Sequence, residues 1–356
     1  MLVYTLYQLE TYTERTINMA IEIDRQLFLQ GLEKALVEKD RAFKLGSDLA
    51  LQGIKRIFFV GCGAPNREMG IIKYWMDRDA KTLENHLYFP AEFINQVPAK
   101  LGADSLVILA SHSGTTPEII QATEFLKSYK CKVTAVTQFE DSPLAKAVPG
   151  TFIYGKSEQG YYAKFIIIMA LVAGVMKEVE EWKLADSVLS GLGALPAVLV
   201  DTAEFNEKRA TDEARLYKDD DFMMILGSGP TSSNAYVFGV CVLMEMQWMH
   251  TFTGEAAEFF HGPFEVLDQN TPVVVFLGED PSRPIGERVI RFCKKYTERL
   301  IVYDSKDFEM KGITPEARAI FAPFVLEAAI SRVSEHLAVW HNHPLSTRRY
   351  MWKFEY

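Results

Sequence analysis

Twice along this chain a short apolar run breaks into a Gly-x-Gly turn and then into a helical pattern. The first instance is "RIFFVGCGAP", Arg56 to Pro65; the second is "DFMMILGSGPTSSNAYVFG", Asp221 to Gly239. Further strands follow each. After the first come "SLVILASHSGTTPE", "CKVTAVTQFEDSPLAKAV" and "TFIYG"; after the second come "PVVVFLGEDPSRP" and "RLIVYDS". Strands alternating with helices of ten or more residues imply crossover connections and a parallel sheet. The spacing therefore predicts an α/β chain made of two copies of one doubly wound unit, joined near Gly191 to Asp201. A helical segment over residues 1–50 precedes the first unit at 51–195, and the second unit occupies 196–356.

Composition narrows the functional classes. The chain has 356 residues, 48% apolar and 24% charged, the profile of a packed protein. Its formal net charge of -9 argues against a nucleic-acid partner, but not against a small anionic substrate held in one local pocket. The start of the chain lacks a basic, apolar, cleavable leader. The longest apolar run, "FIIIMALVAGVM" from Phe165 to Met176, is too short to span a bilayer and reads as a core helix. The expectation is a cytoplasmic protein with no membrane partner. The four cysteines form no CxxC or CxxH pair and read as buried thiols.

The stretch that demands an explanation is "ASHSGTTPEII", Ala110 to Ile120. It leaves an apolar strand, offers the hydroxyls of Ser111, Ser113, Thr115 and Thr116 together with His112, and enters a helix at Pro117. In open parallel sheets ligands bind beyond the carboxyl ends of strands. A loop there that opens a helix presents unpaired N–H groups and the positive end of the helix dipole. Rotatable hydroxyls add donors, and Gly114 permits positive φ or close backbone approach. The pattern fits a phosphate cradle. A plain helix cap would need one hydroxyl, not four. No Walker-A lysine is present, and Gly61-x-Gly63 alone is a weak dinucleotide signal. The equivalent loop of the second copy is Gly278-Glu279-Asp280-Pro281, so one anion site is expected, in the first half.

A second constellation is "EMQWMHTFTGEAAEFFHGPFE", Glu245 to Glu265. It begins within a long helix and ends in a loop where His261 precedes a Gly-Pro turn. That is a poor place for a core histidine and a suitable one for an acid/base group. His341 and His343 bracket Asn342 before Pro344, with no third ligand nearby; a surface turn is favoured over a metal site.

The "SHSGTTPE" element, the "DSPLAKA" stretch after the next strand and the duplicated unit resemble sugar isomerase (SIS) domains. Over about residues 40–356 the chain is similar to the tandem isomerase half of glucosamine-6-phosphate synthases. The resemblance implies flavodoxin-type sheets and a sugar 6-phosphate held by Ser111, His112, Ser113, Gly114 and Thr116, with Gly63 beside them. Gly63-Ala64-Pro65 stands where the synthases have Gly-Thr-Ser, so that loop supplies no serine hydroxyl. It also implies a catalytic Glu245 and His261, no cofactor, no metal, and a homodimer in which His261 serves the neighbouring subunit's site. The synthases carry a lysine one helical turn before the glutamate; this chain has Val242. Deglycases of phosphorylated sugar–amino acid adducts lack that lysine too. "EMQWMH", "EFFHGPFEVL", "FLGEDPSR" and a terminal "RRY…EY" are similar to that group. The expected activity is release of an amino acid from a fructoselysine or glucoselysine 6-phosphate. Glu245 would be the base at the sugar carbons and His261 the acid/base for ring opening and oxygen protons. Glu255 and Glu258 are rivals near His261, with Glu255 favoured for positioning the loop and His250 for structure. By analogy with the synthases, Arg348, Arg349 or Tyr356 of the tail would close over the sugar. An aldose/ketose isomerase and a non-catalytic sugar-phosphate sensor are the alternatives.

Overall fold

The computed structural model describes residues 22–355. Residues 1–21 of the expected N-terminal helical segment, and Tyr356, lie outside the described residues. The rest of that segment forms a helix, Arg25–Leu51, started by the Asp24 carboxylate on the Leu27 amide.

The first unit places β1 (Arg56–Val60), β2 (Glu84–Tyr88), β3 (Ser105–Ala110), β4 (Lys132–Thr137) and β5 (Phe152–Ile153) in one sheet of order β2-β1-β3-β4-β5. The second unit places β6 (Phe222–Gly227), β7 (His250–Glu255), β8 (Val273–Leu277) and β9 (Leu300–Asp304) in the order β7-β6-β8-β9. Every strand pair is parallel. The two orders agree over four strands, and the first is the flavodoxin order. The predicted duplication of the α/β unit is therefore present in topology.

Two strands escaped the sequence pattern, β2 and β7. Each is the second strand of its unit and lies at a sheet edge. "ENHLY" is half-buried throughout, and "HTFTGE" is half-buried or exposed, so neither shows an apolar run. The segment expected as helix then loop from Glu245 is a helix end, a strand and a loop.

The run Phe165 to Met176 is the core helix expected of it. Helix Gly160–Glu180 is buried on all sides from Tyr162 to Met176. It contacts helix Arg25–Leu51 backbone to backbone. A Cβ at Gly46 would stand 2.0 Å from the Leu171 carbonyl oxygen, and one at Gly174 2.1 Å from that of Phe43. Phe165 stacks on Phe324 of helix Arg318–Trp340, ring centroids 3.6 Å apart. One apolar cluster thus includes Ile108 of the first sheet and Ile225 and Phe276 of the second. The expected junction at 191–201 lies inside helix Ala185–Tyr217, which contributes Leu192, Leu195 and Leu199 to that cluster. The halves share a core and are joined by a packed helix. By length and composition alone this helix could cross a membrane, but it packs lengthwise on helix Arg318–Trp340.

Candidate active site

β1 and β3 are neighbours in register, Val60 beside Leu109, so the Gly63 turn and the hydroxyl loop leave the sheet side by side at its switch point. The loop is internally braced. The Ser111 and Thr116 hydroxyls are 2.8 Å apart, and Ser111 Oγ accepts from the Gly114 amide at 3.1 Å. Ser113 Oγ accepts from both the amide and the hydroxyl of Thr115. Thr116 stands at the N-cap position of helix Pro117–Leu126, yet its side chain caps no helix amide. The hydroxyls thus brace one another at the end of the strand, which the helix-cap explanation does not account for. Gly114 sits at φ +67°, and a Cβ there would meet Ser142 Oγ at 2.5 Å. Only glycine fits both constraints. Gly63, at φ +62°, precedes helix Ala64–Asp79; a Cβ there would meet nothing within 4 Å.

His112 is anchored by residues that no sequence pattern singles out. Its Nδ1 lies 2.7 Å from the hydroxyl of buried Tyr154, just beyond β5. The same ring edge faces Gly160, where a Cβ would come within 2.6 Å of Nδ1. Burial of that edge, and then the charge of Lys164, hold the imidazole down to about 4, so it is neutral near pH 7. Lys164 is itself buried, its ammonium 3.3 Å from Glu68 and hydrogen-bonded to the Gly160 carbonyl. Burial pushes Glu68 up to about 7 despite the attraction of Lys164. It lowers Lys164, with Glu68 opposing. The Glu68–Lys164 pair therefore lies beneath Gly160, against which the His112 ring rests, and its ammonium acts on the imidazole through charge.

Glu245 stands where a π-helical stretch, Val237–Met244, gives way to a last α-helical turn. Its amide donates to the Val240 carbonyl, five residues back. Such a bulge re-aims the side chains that follow it, and π-turns recur at functional sites. Burial raises the Glu245 carboxyl above its ordinary range, and Arg348, 2.8 Å away, opposes that rise. Val242 packs on the core instead of offering an ammonium. The tail closes a cavity of about 490 Å³ over Glu245, with Met244, Trp248, Met249, Arg348 and Arg349 among its lining. The "HNHP" turn fixes this helix end. His341 Nδ1 is 2.9 Å from Gln247 Oε1, and its Nε2 is 2.7 Å from the Lys218 carbonyl; Gln247 also donates to the His343 carbonyl. These histidines are structural, in keeping with a turn, and no metal-binding group of three acids, histidines or cysteines occurs among the described residues.

β7 leads into the loop of His261. Glu255, at the strand's end, accepts from the Ala257 amide. Burial raises its carboxyl, with the loop amides of Ala257 and Ala256 opposing. Phe259 and Phe260 pack with Phe264 and Phe292, which anchors the loop and leaves His261 and Gly262 exposed. Among the described residues no side chain bonds the His261 imidazole. The fold brings Ser111, His112, Ser113, Gly114, Thr116 and Gly63 together, and it sets Glu245 against the tail. It puts His261 in neither group.

The two halves meet near Glu245. Ser233 of the helix leading to it donates to the Arg67 carbonyl at 3.0 Å, and the Arg67 guanidinium lies 3.8 Å over the Tyr236 ring. Burial pushes the Cys241 thiol up to about 12, with the charges of Glu245, Glu327 and Glu68 adding to it against Arg67. Burial likewise raises Cys62, Cys131 and Cys293, so all four are thiols and not nucleophilic thiolates near neutral pH. In the second sheet the equivalent switch point is filled by the chain itself. Asp280 Oδ1 accepts from the Ser282 amide and the Tyr74 hydroxyl, both at 2.9 Å, and would lie 3.0 Å from a Cβ on Gly229. A fixed carboxylate there repels anions.

Comparison with known proteins agrees with this geometry. Residues 50–173 match the model of the SIS domain. The chain is 35% identical to fructosamine deglycase FrlB of Bacillus subtilis, over 87% of this chain and 95% of that one. It is 30% identical to the agropine synthesis conjugase of Rhizobium rhizogenes, over 90% of each. A crystal structure from Bacillus subtilis, described as a candidate phosphosugar isomerase, superposes with a TM-score of 0.82 at 34% identity, covering 89% of this chain and all of the other. Two parallel sheets in one strand order, a hydroxyl loop at the first switch point and relatives that match along most of their length lead to one conclusion: the chain belongs to the SIS domain family.

Proposed function

We propose that this protein is a deglycase. It splits a phosphorylated sugar–amine adduct, of the fructoselysine 6-phosphate or glucoselysine 6-phosphate type, into a sugar 6-phosphate and a free amino acid. The observation that carries the reading is Glu245: a half-buried carboxylate held above its ordinary range, at a π-distorted helix end, with Val242 and no lysine one turn earlier. The deglycase among its relatives supports it.

The hydroxyls of Ser111, Ser113 and Thr116, the neutral His112 and the backbone at Gly63 and Gly114 hold the 6-phosphate end. Glu245 takes the proton on the carbon beside the carbonyl, which gives an enaminol. Reprotonation on the neighbouring carbon gives a Schiff base, and water releases the amine. A base whose pKa is lifted toward the working pH is matched to this task. His261 supplies the acid/base function for ring opening and the oxygen protons. Its exposure on a rigid loop suits a group that reaches the site of a second copy, in a homodimer. No cofactor enters the scheme.

The conjugase among the relatives favours a second reading, the same steps run toward condensation of sugar and amine. Incubation with fructoselysine 6-phosphate and with glucoselysine 6-phosphate separates the two. Release of lysine with sugar 6-phosphate establishes the deglycase, and the faster adduct identifies the sugar. Absence of release from both, with net adduct formation from sugar phosphate and amine, overturns it in favour of the conjugase.

A further inference from the structure

The tail pocket has more positive charge than Glu245 needs. Arg348 is committed: one guanidinium nitrogen pairs with Glu245 at 2.8 Å, and another donates to the Leu345 and Thr347 carbonyls at 2.7 and 2.9 Å. The next residue, Arg349, lines the same pocket but turns the other way. Its guanidinium lies 4.2 Å over the Trp248 ring, and it has no carboxylate partner among the described residues. Trp248, at φ +58° directly after the Glu245 turn, packs edge-on against His343 with ring centroids 4.4 Å apart, which positions the ring. The remaining lining is mainly the long apolar side chains of Met244, Met249 and Met351, with His250 and Tyr350 beside them. Arg348 is 7% exposed, yet its Nε has no hydrogen-bond partner. The pocket therefore joins a reacting carboxylate, an aliphatic lining, a free guanidinium at the rim and one unused buried donor.

We infer that this pocket takes the amine portion of the substrate and selects amines that carry a carboxylate, with Arg349 as the carboxylate-reading residue. The inference rests on the deglycase reading and deepens it by naming the residue that recognises the carboxylate of the released amino acid. Stacking on Trp248 pre-orients the planar guanidinium, whose fork matches a carboxylate. The methionine walls suit the methylene chain between the two ends of an amino acid such as lysine and adapt to chains of different length. A simple alkylamine would fill the walls and leave Arg349 unanswered.

The test uses 6-phosphofructose adducts of lysine, joined through Nε, and of n-butylamine. Two readouts are taken. One is kcat/KM for amine release. The other is the Kd of the same adducts after borohydride reduction, which removes the ketone and with it the reaction. Parent protein is expected to favour the lysine adduct over the butylamine adduct by about tenfold or more in both readouts. Arg349→Gln is expected to collapse that ratio toward one, and Arg349→Lys to keep part of it. Equal handling of both adducts by the parent, or a ratio unmoved in Arg349→Gln, overturns the inference. The two claims fail separately: reduced adducts that are discriminated but ketone adducts that are never cleaved remove the deglycase reading and leave the carboxylate site. Cleavage without discrimination does the reverse.

Discussion

At the scale of single residues the chemistry turns on protons. Glu245 is raised by burial and restrained by Arg348, and as the proposed base it must be ionised. The acid limb of kcat/KM should therefore lie above the ordinary carboxylate range. Arg348→Gln removes the restraint, so the limb should move to higher pH; a limb that stays put or moves down contradicts the assignment. Tyr154→Phe removes the hydroxyl that holds His112 Nδ1. It should raise KM for the sugar phosphate by about three- to tenfold, the worth of one hydrogen bond, with a smaller change in kcat. Part of this was legible in the sequence. Ser111, His112, Ser113 and Thr116 announce themselves because they cluster and follow an apolar strand. Tyr154, Lys164 and Glu68 do not: they meet His112 only through the fold, and in sequence each lies in an ordinary strand end or helix. The Arg348–Glu245 pair, separated by about a third of the chain, is hidden for the same reason.

Elements explain why the site is rigid. The hydroxyl loop depends on a backbone conformation that only glycine takes easily. Gly114→Ala should cost about 1–3 kcal/mol from the strained φ and the clash with Ser142. It should also weaken sugar 6-phosphate binding, and calorimetry with thermal melts would show both; an unchanged Kd would mean the loop does not bind the phosphate. The strands at the centre of each sheet were readable because they are buried on both faces and so are apolar without interruption. The edge strands β2 and β7 were not: neither has a fully buried residue, so both carry polar side chains, whereas the opposite edges β5 and β9 keep buried apolar positions. Missing β7 mattered most. It turns the Glu245 segment back along the sheet and so separates the helix end from the His261 loop.

For the whole molecule, the shared core puts carboxyls where water does not reach. Glu327, on the long helix of the second half, is 6% exposed and pushed by burial from 4.5 up to about 7, with the Asn234 amide opposing. The folded protein keeps this proton between those values and the unfolded chain loses it. The stability Glu327 contributes is thus fully present below pH 4.5 and is lost as pH rises through 7. Glu327→Gln should flatten the fall in melting temperature between about pH 5 and 8 and be more stable than the parent at pH 8, on the order of 2 kcal/mol. An equal fall in both proteins would place the proton elsewhere.

The measurement that bears most directly on the proposed chemistry is lysine release by Glu245→Gln, by His261→Asn, and by the two variants refolded together. Each alone should fall by a factor of about 100 or more. In a dimer whose sites take Glu245 from one copy and His261 from the other, random mixing rebuilds one intact site in every mixed dimer. Activity should then return to about a quarter of the parent's. Undiminished release by either variant alone would contradict the chemistry, and silence in the mixture would contradict the shared site.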